Sequence, residues 1–173
     1  MTLTQVFIGT RLHTLNGKSN PSPPSISHQF ANQINSFSSS FASLDKSSPD
    51  SNVIVKGVIA VDEFSYANAL AGVSSSNKDN NTPPSESNIH ILKVTPWGEF
   101  TPALNAIVQH CAKDSYCSST SSSSSEENVD NNLLLFISSE ITLSFEDLLL
   151  LINEMKENID NTLVVGAACS GHT

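Results

Sequence analysis

The stretch LLLFISSEI, residues 133–141, runs five apolar side chains into two serines and a glutamate. Ser138 and Glu140 stand two residues apart at the end of what reads as a strand, so both side chains face the same way. A serine hydroxyl is a neutral oxygen and a weaker donor to a hard cation than a carboxylate. The plainer reading is that the polar triplet ends a strand and starts a turn. Three other short stretches carry comparable chemistry. Gly9, Thr10 and Arg11 follow an apolar run near the amino terminus, Asp62, Glu63 and Ser65 follow VIAV at 58–61, and Trp97 and Gly98 follow IHILKV at 89–94. One cation, several carboxylates and one aromatic are groups that can hold a nucleotide with a diphosphate; the planar guanidinium suits a phosphate or stacks on a base. Against this, Asp62 and Glu63 also suit a solvated strand-to-helix corner, with Asp as the turn residue. Trp97 also suits a surface-packing aromatic beside the turn made by Pro96 and Gly98.

These residues share one edge only if the elements before them are parallel strands. QVFIGTRL (5–12) reads as the first strand, and Ile26, Phe30, Ile34, Phe37 and Phe41 then form one helical stripe. NVIVKGVIAV (52–61) is β-branched and apolar, the second strand; a short helix follows Ser65 with Tyr66, Leu70 and Val73 on one face. IHILKV is the third strand. Thr101 and Pro102 then suit the N-cap and first turn of a helix whose face is Leu104, Ile107, Val108 and Cys111. LLLFI is the fourth strand, expected to be buried on both faces. Ser144 caps the next helix, Glu146 and Asp147 suit its positive end, and LLLLINEM is apolar enough to pack on more than one side. TLVVGAA (162–168) is the fifth strand. The alternation predicts an α/β fold: an open, mainly parallel sheet of about five strands with helices on both faces, in a single domain over 1–173. Ligands of such sheets bind beyond the carboxyl ends of the strands, where the strand order reverses.

Composition excludes several classes. With 8 basic and 17 acidic residues the net charge is −9, so there is no Lys/Arg surface for nucleic acid or an anionic membrane. No run of about 18 apolar residues is present, so no transmembrane segment is expected. Residues 1–44 lack Asp and Glu and hold Arg11, the only arginine. An acid-poor, Ser-rich start also suits a transit peptide, but those are Arg-rich, and the expected compartment is cytoplasmic. Cys111, Cys117 and Cys169 form no even disulfide framework, and no histidine stands at zinc-ligand spacing. Segments 16–24, 74–88 and 115–132 are rich in Ser, Asn and Pro and are expected to be low-complexity mobile loops.

VIAVDEFS resembles the second strand of family-two glycosyltransferases of the nucleotide-diphospho-sugar transferase (GT-A) fold, an apolar strand ending in two acidic residues and then Gly-Ser. ALNAIV, 103–108, is similar to the family's Ala-x-Asn-x-Gly stretch. LLLFISSEI stands where the strand ending in Asp-x-Asp stands, and LSFEDLLLLINEM resembles the helix after it. The resemblance spans nearly the whole chain in order and spacing. It implies a donor site for a UDP- or GDP-sugar, with Asp62 at the base or ribose, Glu63 and Ser65 beside it, and Gly9, Thr10 and Arg11 in the loop under the base. The acceptor is unspecified.

The resemblance also implies Mg²⁺ or Mn²⁺ held against the donor diphosphate by two carboxylates. Here Ser138 replaces the first and Glu140 the second, so metal use is expected to be weak or absent. Phe64 replaces a glycine of the acidic motif, and Ala67 an aspartate often found there. A noncatalytic α/β binding module that has lost its metal is the alternative. A remote third reading rests on the terminal GAACSGHT, which has P-loop spacing; His172 replaces the lysine, and a neutral imidazole lacks its fixed charge. In the resembling fold the acceptor-binding segments and the general base follow the fifth strand. These 173 residues are therefore expected to be the N-terminal part of a longer protein, inactive in sugar transfer on their own.

Overall fold

A computed structural model of the chain describes residues 3–12, 30–36, 39–40, 53–76, 88–98, 100–120, 129–138 and 141–157. Four strands form one parallel sheet: β1 (Leu3–Arg11), β2 (Val53–Val61), β3 (Ile89–Lys93) and β4 (Val129–Phe136). Their order is β3-β2-β1-β4. The helices are α1 (30–36), α2 (Tyr66–Ser76), α3 (Phe100–Thr120) and α4 (Phe145–Glu157). Parallel neighbours need long crossovers, which is why helical segments separate the strands. The expected α/β fold is the observed one, with four strands among the described residues; 162–168, read as a fifth strand, lies outside them.

Register decides what each face carries. Phe7 pairs with Lys56 and Leu134, Gly9 with Val58 and Phe136, and Val58 with His90, so these side chains share one face of the sheet. Helix α3 covers that face: Ala103, Ile107 and Cys111 are buried with Phe7, Val58 and Ala60. The opposite face carries Ile8, Thr10 and Gly57, and a Cβ at Gly57 would lie 3.0 Å from Ile34 of α1. Phe7, Ile8, Ile34 and Ile107 are almost fully buried. Removing each such side chain from water contributes about 1.5–3 kcal/mol.

Several sequence expectations shift by a residue or a turn. The buried stripe of α3 is Ala103, Ile107 and Cys111, whereas Leu104 is half-buried and Val108 is 46% exposed. The two stripes are adjacent on one helix, and small Ala103 lets the helix lie closer to the sheet than Leu104 would. In α2 the buried residues are Ala69 and Val73, and Leu70 is exposed. Stretches expected as loops hold regular structure at their ends: α2 runs to Ser76, α3 to Thr120, and β4 begins at Val129. A helix already nucleated extends at the gain of one hydrogen bond per residue, so a Ser-rich tail continues it. β4 ends the sheet among the described residues and is half-buried, with Leu134 38% exposed rather than enclosed on both faces.

Met1–Ile141 forms one compact unit and Thr142–Thr173 a second. Helix α4 of the second unit begins as expected. The Asp147 amide donates to Ser144 Oγ (3.1 Å), and the Ser144 amide donates back to Asp147 Oδ2 (3.2 Å), a reciprocal cap. Leu148 and Ile152 are buried but Leu150 is 68% exposed, so the apolar run does not pack all round. Among the described residues no helix is long and apolar enough to cross a membrane.

Candidate functional site

The strand order reverses between β1 and β4, because β2 and β3 lie to one side of β1 and β4 to the other. That places the candidate site at the carboxyl ends of β1 and β4 and the loops beside them. The junction itself is closed. The Ile137 amide donates to Gly9 O (2.9 Å), and the buried Thr10 hydroxyl donates to Ile137 O (2.8 Å). Gly9 and Thr10 are thus strand residues, not loop residues. Gly9 lies under Ile107 of α3, and Thr10 points to the other face as a tie between strands. Together they form a floor; only Arg11 of the three reaches the open edge.

Arg11 is the last residue of β1, half-buried, and its side chain crosses towards the loop after β3. Its Cζ lies 4.7 Å from the centroid of the Trp97 ring, and Nη2 donates to Gly98 O at 3.1 Å. Trp97 packs against the core cluster beneath α3, so it is more than a surface aromatic: it is a fixed platform for a cation. Gly98 has φ +127°, a conformation that side chains other than glycine rarely adopt, and this turn presents its carbonyl to Arg11. On the other side of the reversal, Phe100 at the start of α3 packs edge-on against Phe136 of β4, with centroids 5.2 Å apart.

Asp62 and Ser65 meet each other rather than open space. The buried Asp62 carboxylate accepts from the Ser65 amide (2.9 Å) through Oδ1 and from the Ser65 hydroxyl (2.8 Å) through Oδ2. Ser65 O in turn accepts the Ala69 amide, the first bond of α2. The pair therefore builds the β2–α2 corner, the structural role that the sequence also allowed. Exposed Glu63 pairs with Lys93 at the end of β3 (3.1 Å), and Phe64, the next residue in the chain, is 82% exposed.

Ser138 is exposed beyond β4, and its carbonyl accepts the Ile141 amide. Glu140 lies outside the described residues, as does the terminal GAACSGHT. Ser138 offers a neutral oxygen, Asp62 has both oxygens engaged at the corner, and among the described residues no group of three or more His, Cys, Asp or Glu is placed to hold a metal.

A second polar cluster, unnoticed in the sequence, lies under the later half of α3. Lys56 of β2 forms an ion pair with Asp114 of α3, and the Gln5 amide approaches the same carboxylate oxygen at 3.4 Å. His110 of α3 packs on His90 of β3, ring centroids 4.8 Å apart, with its Nε2 buried and lacking a protein partner. Burial and then the neighbouring His90 hold the His110 pKa below its ordinary value. The signal was present: Gln5 and Lys56 interrupt apolar strands, and His110 and Asp114 are one helical turn apart.

No family model, curated protein or solved structure matches this chain.

Proposed function

We propose that the chain is the donor-binding part of a glycosyltransferase-like protein, taking a UDP- or GDP-sugar at the carboxyl edge of the sheet. The observation that carries this reading is the reversal of strand order beside Arg11: an anion-competent side chain stands where open α/β sheets bind ligands. The motif resemblance along VIAVDEFS, ALNAIV and LLLFISSEI supplies the donor class. In this arrangement Thr10 and Gly9 make the floor, Asp62 and Ser65 hold the β2–α2 corner in shape, and Glu63 is the carboxylate of that corner facing solvent. No acceptor or general base is assigned. The test is calorimetric titration with UDP and GDP, combined with hydrogen exchange. The reading predicts protection at 9–12, 95–101 and 136–138; absence of binding, or protection confined to other segments, overturns it.

A second reading, a noncatalytic α/β module that binds a partner, is favoured by Ser138 standing where the resembling family carries a metal-binding aspartate. The same titration separates the two, because this module binds neither nucleotide.

A further inference from the structure

Arg11 is the only arginine of a chain with net charge −9, yet no carboxylate pairs with it among the described residues. Of the described acidic groups that follow β2, Asp62 is engaged by Ser65 and Glu63 by Lys93. Of the guanidinium donors, Nη2 is given to Gly98 O, while Nε is buried and has no partner among the described residues. A buried N–H without an acceptor is costly. What offsets this is the Trp97 ring under the guanidinium, itself anchored in the core, and the left-handed turn at Gly98. A side chain lying across a ring simply to cover apolar surface keeps its charged end in water. Here that end is held between a ring and a carbonyl, with its remaining donors unassigned.

We infer that Arg11, clamped by Trp97 and Gly98, is the phosphate anchor of the nucleotide site and supplies the positive charge that a divalent metal supplies in the resembling family. The inference rests on the donor-binding reading above and deepens it. Ser138 stands where that family carries a metal-binding aspartate and offers only a neutral oxygen, so in this scheme a diphosphate at this edge meets the guanidinium instead. The planar fork gives two parallel N–H bonds to phosphate oxygens, and stacking on Trp97 lowers the entropy lost in making them. Trp97 is a positioning residue in this scheme, acting through the guanidinium.

The experiment is calorimetry on the full chain with UDP and uridine, and with GDP and guanosine, in EDTA and then in Mn²⁺, for wild type, Arg11→Gln, Arg11→Lys and Trp97→Leu. The diphosphate is expected to bind more tightly than its nucleoside in EDTA, with no gain from Mn²⁺. Arg11→Gln should lose roughly ten- to hundredfold in diphosphate affinity, the range of a charge-assisted hydrogen bond, while its nucleoside affinity stays at the wild-type level. A thermal midpoint close to that of wild type shows that the variant is folded. Arg11→Lys should fall between, and both Arg11→Gln and Trp97→Leu should flatten the salt dependence of diphosphate binding. An unchanged diphosphate-to-nucleoside ratio in Arg11→Gln, or loss of wild-type binding in EDTA, overturns the anchor and leaves the nucleotide site standing. Failure of wild type to bind any of the four probes overturns both.

Discussion

Ile107 of α3 stands where a side chain on Gly9 of β1 would have to go: a Cβ at Gly9 would lie 2.9 Å from Ile107 Cγ2. The methyl sits on a β-branched carbon within a packed core and cannot swing aside. Gly9→Ala is therefore expected to destabilise the protein by about 1–3 kcal/mol through overpacking. Chemical denaturation measures it, and Ile107→Ala in the same chain should recover part of the loss, since it removes the clashing methyl. Equal stability of Gly9→Ala and wild type contradicts the contact.

What could be read from the sequence and what could not divide along physical lines. Strand positions were legible because parallel strands read as near-continuous apolar runs, and the Ser144 cap was legible because its chemistry is local. The orientation of α3 was not: the stripes through Ala103 and Leu104 differ by one residue, and only the close approach at Gly9 selects the first. Asp62 and Ser65 stood out in the sequence as polar residues after a strand, but their mutual hydrogen bonds depend on the turn geometry of the corner. Arg11 and Trp97 are 86 residues apart in the numbering, and His90 and His110 lie on different elements, so neither contact has a local signature.

Asp62→Ala should remove two hydrogen bonds from the β2–α2 corner and cost about 0.5–2 kcal/mol, the range for losing a helix-capping side chain. Asp62→Asn keeps an oxygen for the Ser65 amide and should lose less. Thermal unfolding of the two variants distinguishes them. If both match wild type, the carboxylate does not hold the corner, and its role lies with a ligand instead.

Cys111 is 7% exposed on the sheet-facing side of α3, and burial pushes its thiol pKa up to about 11. At pH 8 roughly one molecule in a thousand then carries the reactive thiolate, before any barrier of access. Iodoacetamide should label Cys111 slowly in the native protein and quickly in guanidinium, as peptide mapping by mass spectrometry would resolve from Cys117 and Cys169. Native labelling as fast as unfolded labelling would place the thiol outside the core.

His110 makes stability depend on pH. Its folded pKa lies below the ordinary 6.5, first because burial disfavours the imidazolium and next because His90 is adjacent; Lys56 and Lys113 act in the same direction, and Asp114 opposes them. Gln5, the remaining polar group of the cluster, carries no charge, and Asp114 is itself held by Lys56. Between the lowered folded value and about 6.5 the unfolded chain binds more protons than the folded one, so stability falls as the pH drops through that window. Asp147, whose pKa is lowered by its bonds to Ser144, gives a loss of the same sign in a separate window, below the ordinary carboxylate value of 3.8. Denaturation midpoints measured from pH 7.5 to 5.5 should therefore fall for wild type. His110→Gln should flatten that fall, because glutamine does not titrate. His90→Gln should flatten it in part, by removing the second imidazole that resists protonation of the first. An undiminished slope in His110→Gln would show that the titrating group lies elsewhere, and that the imidazole pair under α3 is a packing contact without a pH response.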